Sequence, residues 1–373
     1  MSDDFVLPQY DGNALCNLVP SVMARLRGEM GAPIAIPAAT RYVVVMIDGL
    51  GLSGLRRYAD HAERLAALPR QTLTCSVPST TACSLTSLGT GLPPGRHGIV
   101  GYTFRDPGSS AVMNALTWEQ GPEDVDAFRL APTQFRRFAD DGGRSAAVTL
   151  GRFDGTALTR LAFDATELFA RPEDESDVDG TVALVEAALE DHQVVYCYQR
   201  LLDHAGHTSG PGSWQWLQEL ETVDDLVAGI QALAGDDVCV LVTGDHGMIT
   251  VPDDHRIMAE DEPALAGFDA IAGEGRFRQL YTPEPERLAK AWQTFLGGRG
   301  HVVLRDEAVA AGWFGTEVCA DALLRLGDVL VAMRDDWAVM SRRFEKEFSL
   351  VGMHGSLTAD EMQVPLSVAG GRP

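Results

Sequence analysis

Apolar residues follow two rhythms along this chain. In the first, short unbroken runs stop at an acid or a glycine. Tyr42-Val-Val-Val-Met-Ile47 runs into Asp48-Gly-Leu-Gly51, and runs of the same kind occupy Ser145–Leu150, Val194–Tyr198 and Val238–Val242. An unbroken apolar run of strand length, closed by turn residues, marks a strand buried on both faces, as in the interior of a parallel sheet. In the second rhythm, apolar positions recur at helical spacing over Ala82–Leu88, Thr181–Glu190 and Trp214–Leu233. Strand and helix patterns alternate, which predicts βαβ units. The expected fold is α/β, with a mainly parallel central sheet and helices on both faces.

The two ends of the chain and one interior stretch break this pattern. Residues 1–40 read as an N-terminal extension with one amphipathic helix near Ser21–Gly28. From about Asp253 to Glu347 the pieces are short and mixed, with a polar helix near Glu284–Leu296 and a strand near Asp328–Met333. This predicts a small inserted, cap-like α+β subdomain over 253–347. The core then comprises 41–252 and 348–373, and the apolar run around Val364–Val368 returns to the sheet.

Composition narrows the function classes. A chain of 373 residues buries a core without staples. Acids outnumber bases 53 to 30, for a formal charge of −23. That excludes a basic footprint for a nucleic-acid polymer and disfavours docking on anionic lipid. The apolar runs fall well short of the ~20 residues of a membrane span. The opening MSDDFVLPQYDG has neither the charge nor the apolar stretch of a signal peptide, so a cytoplasmic location is expected. Cys16, Cys75, Cys83, Cys197, Cys239 and Cys319 are scattered without a CxxC pair and read as reduced, mostly buried residues.

The chemistry gathers after the predicted strands. In open α/β sheets, ligands bind beyond the carboxyl ends of the strands. Asp48 follows the first strand. Asp203-His-Ala-Gly-His207 follows the third, Asp245-His246-Gly247 follows the fourth, and His354 lies in the C-terminal piece. Singly, each has an ordinary explanation as a turn, a cap or an exposed loop. Together they are oxygen and nitrogen donors without a thiolate, a set that suits zinc, with manganese also accommodated. Leu73-Thr-Cys-Ser-Val-Pro-Ser-Thr-Thr81 adds hydroxyls at a helix start. The simple role there is an N-cap. A helix N-terminus also offers free N–H groups to a phosphate, and a hydroxyl there is a potential nucleophile.

With these residues in view the sequence resembles the alkaline phosphatase superfamily, in its type I phosphodiesterase/nucleotide pyrophosphatase branch. Asp48-Gly-Leu-Gly, the Pro78–Thr81 turn, Thr90-Gly-Leu-Pro-Pro-Gly-Arg-His97-Gly-Ile, Asp203-x-x-x-His207, Gly244-Asp-His-Gly247 and Gly352-x-His354-Gly appear in the family's order. The resemblance implies an alkaline-phosphatase-like sheet and a site for two divalent metal ions. One would be held by Asp203, His207 and His354, the other by Asp48, Thr81, Asp245 and His246. It implies Thr81 as nucleophile, chosen over Thr80 by the nine-residue interval to Thr90-Gly91. His97 is expected to be structural, and His204 matches no ligand position. Where the branch carries an Asn that holds a phosphate oxygen, this chain has Tyr102, whose phenol is expected to bind substrate instead. Cys83-Ser84 stand where the branch has a Pro-Asn pair.

The implied activity is phosphoryl transfer through a phospho-threonine, cleaving phosphodiester or pyrophosphate bonds of a small-molecule, nucleotide-type phosphoester. A phosphomonoesterase, phosphonate hydrolase or phosphomutase would use the same parts, and a metal-binding homologue without catalysis is the rival outside enzymes. A sulfatase is disfavoured because the chain has no Cys-x-Pro-x-Arg. The absence of Lys or Arg near Thr81 in sequence points to singly charged diesters rather than monoesters.

Overall fold

The computed structural model describes residues 5–29 and 31–372. Its centre is a seven-stranded sheet in the order Arg70–Thr74, Gln363–Gly370, Val238–Gly244, Arg41–Ile47, Val194–Gln199, Ser145–Leu150, Glu167–Arg171. The strands run parallel except Gln363–Gly370, which is antiparallel to both neighbours. The fold is the mixed α/β arrangement expected, although Glu167–Arg171 escaped the sequence pattern. That strand is an edge strand with exposed positions, so it lacks an unbroken apolar run.

Alternation explains why the inner strands look uniformly apolar. Tyr42, Val44 and Met46 point to one core, with Leu85 and Leu88 of the Thr81–Thr90 helix and Leu158 and Leu161 of the Ala157–Ala162 helix. Val43, Val45 and Ile47 point to the other, with Val185 and Leu189 of the Val178–Asp191 helix and Leu220, Val223 and Val227 of the Trp214–Gln231 helix. Both faces are covered, so successive side chains leave water. The N-terminal helix spans Leu18–Leu26, and its Leu18, Val19 and Val22 join the first of these cores.

A second, four-stranded sheet follows the order Ala270–Glu274, Phe277–Tyr281, Val329–Met333, Gly300–Leu304, and is antiparallel throughout. The Pro285–Leu296 helix packs Leu288, Trp292 and Leu296 against one face. Phe277, Leu330 and Ala332 face the main core. A buried ion pair fastens this sheet to the C-terminal segment: Arg276 Nε and Nη2 donate to Glu361 Oε1 and Oε2 at 3.1 and 2.7 Å.

The antiparallel strand decides what the site receives. It enters the sheet at the edge where the parallel strands end. The residues leading into it therefore reach the same crevice as the residues that follow the others. No helix among the described residues is long and apolar enough to cross a membrane.

Candidate metal centre and nucleophile

Asp48 follows Ile47 directly and is buried. The next residue, Gly49, has φ +74°, and a Cβ there would stand 3.0 Å from Asp203 Cα, so the turn that presents Asp48 needs glycine. Asp245 follows Gly244, and its Oδ1 accepts the Gly49 and His246 N–H groups, each at 3.0 Å. Asp203 and His207 lie on a helix, Leu201–Ser209, rather than in a loop, which puts them one turn apart on one face. His207 Nε2 lies 3.4 Å from Asp203 Oδ2. His354 arrives from the segment before the antiparallel strand, with its ring 3.8 Å from that of His246 and 5.1 Å from that of His207, centre to centre.

The Thr81–Thr90 helix begins at this edge, after a cis Val77–Pro78 bond. The three hydroxyls of the turn have separate duties. Ser79 Oγ donates to the Ser356 carbonyl at 2.7 Å, tying the turn to the His354 segment. Thr80 is the N-cap, and its side chain lies beside Glu274. Thr81 faces the acids and imidazoles, with Oγ1 at 3.1 Å from His246 Nε2 and 3.4 Å from Asp48 Oδ1.

Three features fit this donor set to cations. First, each imidazole Nδ1 sits against a backbone carbonyl: His207 on Gly352 at 2.9 Å, His246 on Gly247 at 3.0 Å, His354 on Ser79 at 2.8 Å. A carbonyl only accepts, so each proton is on Nδ1 and each Nε2 keeps its lone pair for the site. Second, Asp203 Oδ1 and Asp245 Oδ2 are buried without a hydrogen-bond partner among the described residues. Third, burial and then the charges of Asp245 and Asp203 push the Asp48 carboxyl well above its usual range, and burial also raises Asp245. Burial and then the neighbouring His246 and His207 hold His354 well below the usual imidazole value. Crowded carboxylates and unprotonated imidazoles are the state that divalent cations relieve.

The donor atoms form two close groups, Asp48 with Asp245 and His246, and Asp203 with His246 and His354. His246 belongs to both, between the set of three and the set of four implied by the motifs. His207 stands just outside the second group and joins it through Asp203. His97 lies apart: Ile99 N–H donates to its Nδ1 at 3.1 Å, its Nε2 meets Ser87 Oγ at 2.8 Å, and burial lowers its pKa to about 3.

A cavity of about 720 Å³ opens over Thr81, lined in part by Asp48, Tyr102, Asp203, His207 and His354. Tyr102 lies beside Asn114, and burial raises its pKa, so it presents a protonated phenol. The cavity also contains residues that the sequence pattern missed. Tyr198 donates its hydroxyl to Asp48 Oδ2. Glu274, from the second sheet, lines the wall with its Oε1 buried and unpartnered among the described residues. Arg152, Arg200 and Lys346 line it too. Basic groups, absent near Thr81 in sequence, thus reach its cavity from distant segments. Arg152 and Arg200 follow strand ends, and the strand-end rule would have found them had it been applied to bases as well as acids.

A family model described as type I phosphodiesterase / nucleotide pyrophosphatase matches residues 42–357. No curated protein sequence matches the chain. Among solved structures, murine ectonucleotide pyrophosphatase/phosphodiesterase 5 is similar at 17% identity and a TM-score of 0.69, covering 88% of each chain. An inactive form of that murine protein in complex with AMP aligns with a TM-score of 0.68 at 17% identity, over 89% of this chain and 88% of that one. Phosphonoacetate hydrolase from Sinorhizobium meliloti in complex with phosphonoacetate is similar at 20% identity and a TM-score of 0.69, covering 90% of this chain and 91% of that chain. At these identities the structural likeness is one of fold. The family model, however, spans most of the chain, and the protein belongs to the type I phosphodiesterase/nucleotide pyrophosphatase family, within the alkaline phosphatase superfamily.

Proposed function

We propose that this hydrolase is a two-metal phosphoryl-transfer enzyme that cleaves phosphodiester or pyrophosphate bonds of small molecules, with Thr81 as nucleophile. The observation that carries the reading is the position of Thr81 Oγ1, at a helix start and within 3.4 Å of both Asp48 Oδ1 and His246 Nε2. Asp203, His207 and His354 would hold one divalent cation, and Asp48, Thr81, Asp245 and His246 the other. Zinc is the preferred ion, and manganese suits the same donors. When bound, such a pair supplies positive charge that favours ionised oxygens and neutralises a phosphoryl group.

The residues of the chain then do the following. Thr81 Oγ1 attacks phosphorus, and the bond to the leaving oxygen breaks with its electron pair on that oxygen. Asp48 Oδ1 faces the Thr81 hydroxyl and receives its proton. The Thr81 backbone N–H, at the helix N-terminus, and the Tyr102 phenol hold a non-bridging oxygen. The leaving oxygen takes up the proton held by Asp48. Water next attacks the phospho-threonine and loses a proton to the freed Asp48 carboxylate, which returns it to Thr81 Oγ1 as the bond to phosphorus breaks. The 253–347 segment acts as a cap, since Glu274, Gly275, Lys346 and Glu347 form one wall of the cavity. A phosphonate hydrolase or phosphomonoesterase is the second reading, favoured by the Arg152, Arg200 and Lys346 side chains that line the cavity.

The test is turnover of an aryl phosphodiester and the matched aryl monoester and phosphonate ester, with metal content measured on the same samples. Thr81→Ala is expected to lower kcat on the order of a thousandfold while keeping near-full metal content. Thr80→Ala, whose hydroxyl turns to Glu274, should cost far less. A dead Thr80→Ala beside an active Thr81→Ala would displace the nucleophile by one residue. A tenfold preference for the monoester would promote the second reading.

A further inference from the structure

Two arginines and a histidine share the cavity with Thr81 and have no part in the mechanism above. Arg152 lies in the Gly151–Phe153 turn after the Ser145–Leu150 strand, and Arg200 follows the Val194–Gln199 strand. His204 lies one residue beyond Asp203 on the Leu201–Ser209 helix. All three line the cavity.

The pair is held by a buried acid. Glu175 has a side chain only 5% exposed, and its Oε1 accepts Arg200 Nη2 at 2.5 Å and Arg152 Nη2 at 3.3 Å. The loop that carries Glu175 is anchored in turn. Arg171 Nη2 donates to the Glu175 carbonyl at 3.1 Å and Arg171 Nη1 to the Tyr198 carbonyl at 2.7 Å. Thus one buried carboxylate aligns two guanidiniums and leaves them with an excess positive charge. Glu173, which bonds Arg152 Nη1, is largely exposed and offsets that charge weakly. Among the described residues the Arg200 side chain donates only to Glu175. A guanidinium has five N–H donors, so most of its donors remain for another acceptor.

Place in the sheet says which acceptor. Asp48 ends the Arg41–Ile47 strand, and the strands before Arg200 and Arg152 are the next two in order. Neighbouring strands lie about 4.8 Å apart. Arg152 is therefore displaced along the crevice from Asp48 and Asp245, Arg200 follows the same strand as Asp203 and His207, and a substrate must extend past its reacting phosphorus to meet the pair.

Resting on the phosphoryl-transfer reading, we propose that Arg152, Arg200 and His204 receive a second anionic group of the substrate, a carboxylate or a further phosphoryl group. Glu175 is a positioning residue for the pair. The substrate class is then an organophosphorus ester or phosphonate that bears two separate anionic groups. Planar guanidiniums bind both kinds of oxyanion through paired N–H donors.

Three matched substrates test this: the p-nitrophenyl esters of ethylphosphonate, phosphonoacetate and methylenediphosphonate. They share a leaving group and differ in the second group, which is neutral, carboxylate or phosphonate. The wild-type protein is expected to show kcat/KM at least about tenfold higher for a doubly anionic ester than for the ethyl ester, chiefly through KM. Whichever charged arm leads identifies the oxyanion. The Arg152→Met/Arg200→Met double variant should bring the ratio close to one, and Arg200→Lys should retain part of it. A wild-type ratio at or below one, or an unchanged ratio in a folded double variant, overturns the proposal. If the double variant does not fold, the wild-type ratio and its decline with added salt decide. If no ester is turned over, the phosphohydrolase reading fails by itself. Calorimetric binding of phosphonoacetate against ethylphosphonate to the zinc-loaded protein then decides the anion site, and equal affinity overturns it.

Discussion

At the scale of single residues, this site is organised by what each imidazole does with its second nitrogen. His207, His246 and His354 give Nδ1 to a backbone carbonyl and turn Nε2 to the crevice. His97 does the reverse: its Nδ1 accepts a backbone N–H, so its proton lies on Nε2, toward Ser87. Similar side chains thus divide into potential ligands and a structural strut by hydrogen bonding alone. The strut has a measurable consequence. Burial, then the charge of Arg325, lowers the His97 pKa from 6.5 to about 3. Between those values the unfolded chain binds the proton and the native state does not. The free energy of unfolding therefore rises with pH across that window, by up to about 1.4 kcal/mol per pH unit from this one group. It is lost as pH falls. Chemical denaturation at several pH values should show that His97→Gln removes this slope from the acid limb. Equal slopes in the two proteins would show that His97 is not the group responsible.

Elements explain how much of this was legible in the chain. The Arg41–Ile47, Ser145–Leu150, Val194–Gln199 and Val238–Gly244 strands were readable because sheet and helices cover both of their faces, so burial wrote an unbroken apolar run into each. Asp48, Asp203, Asp245 and Thr81 were readable because they directly follow such elements or begin a helix. Glu274 was not. It reaches the cavity from a hairpin of the second sheet, whose place depends on contacts with no local pattern, such as Arg276 with Glu361 across 85 positions. Nor did the sequence show that Gln363–Gly370 is an interior strand, with Val238–Gly244 on one side and Arg70–Thr74 on the other. Truncation near residue 350 would therefore leave a gap within the main sheet, and is expected to prevent folding rather than to remove one metal ligand. Substitution is the better probe. Glu361 also accepts Ser356 N–H at 3.0 Å and the Thr358 hydroxyl at 2.6 Å, in the segment that follows His354. Glu361→Gln should leave the Arg276 charge buried without its partner and cost on the order of 3 kcal/mol in denaturant unfolding. A cost below about 0.5 kcal/mol, within the range of ordinary surface changes, would mean that the pair does not hold the segment.

The whole molecule carries a net charge of −23, and some of its acids are concentrated where water is least available. Asp48 and Asp245 are buried together, with Asp203 beside them, and both have raised pKa values, burial being the larger cause in each. The consequence for stability has a definite sign. In the metal-free protein, the native carboxyls keep protons that the unfolded chain has released above about pH 4. The native state binds more protons, so the unfolding free energy falls as pH rises from there toward the raised values. Divalent cations reverse this, because they bind the ionised carboxylates and compete with protons for them. A ligand that binds only the native state adds about 2.7 kcal/mol at a hundredfold excess over its Kd. The His97 effect is common to metal-free and metal-loaded protein, so it cancels in the difference between them. The gap in melting temperature between zinc-loaded and chelator-treated protein is therefore expected to widen as pH rises above about 4. Asp48→Asn removes one of the crowded charges and should flatten the decline in the chelated sample, even as it weakens metal binding. A gap between loaded and chelated protein that stays level with pH, alike in wild type and Asp48→Asn, would show that these acids are not held in the strained, metal-seeking state inferred from their burial.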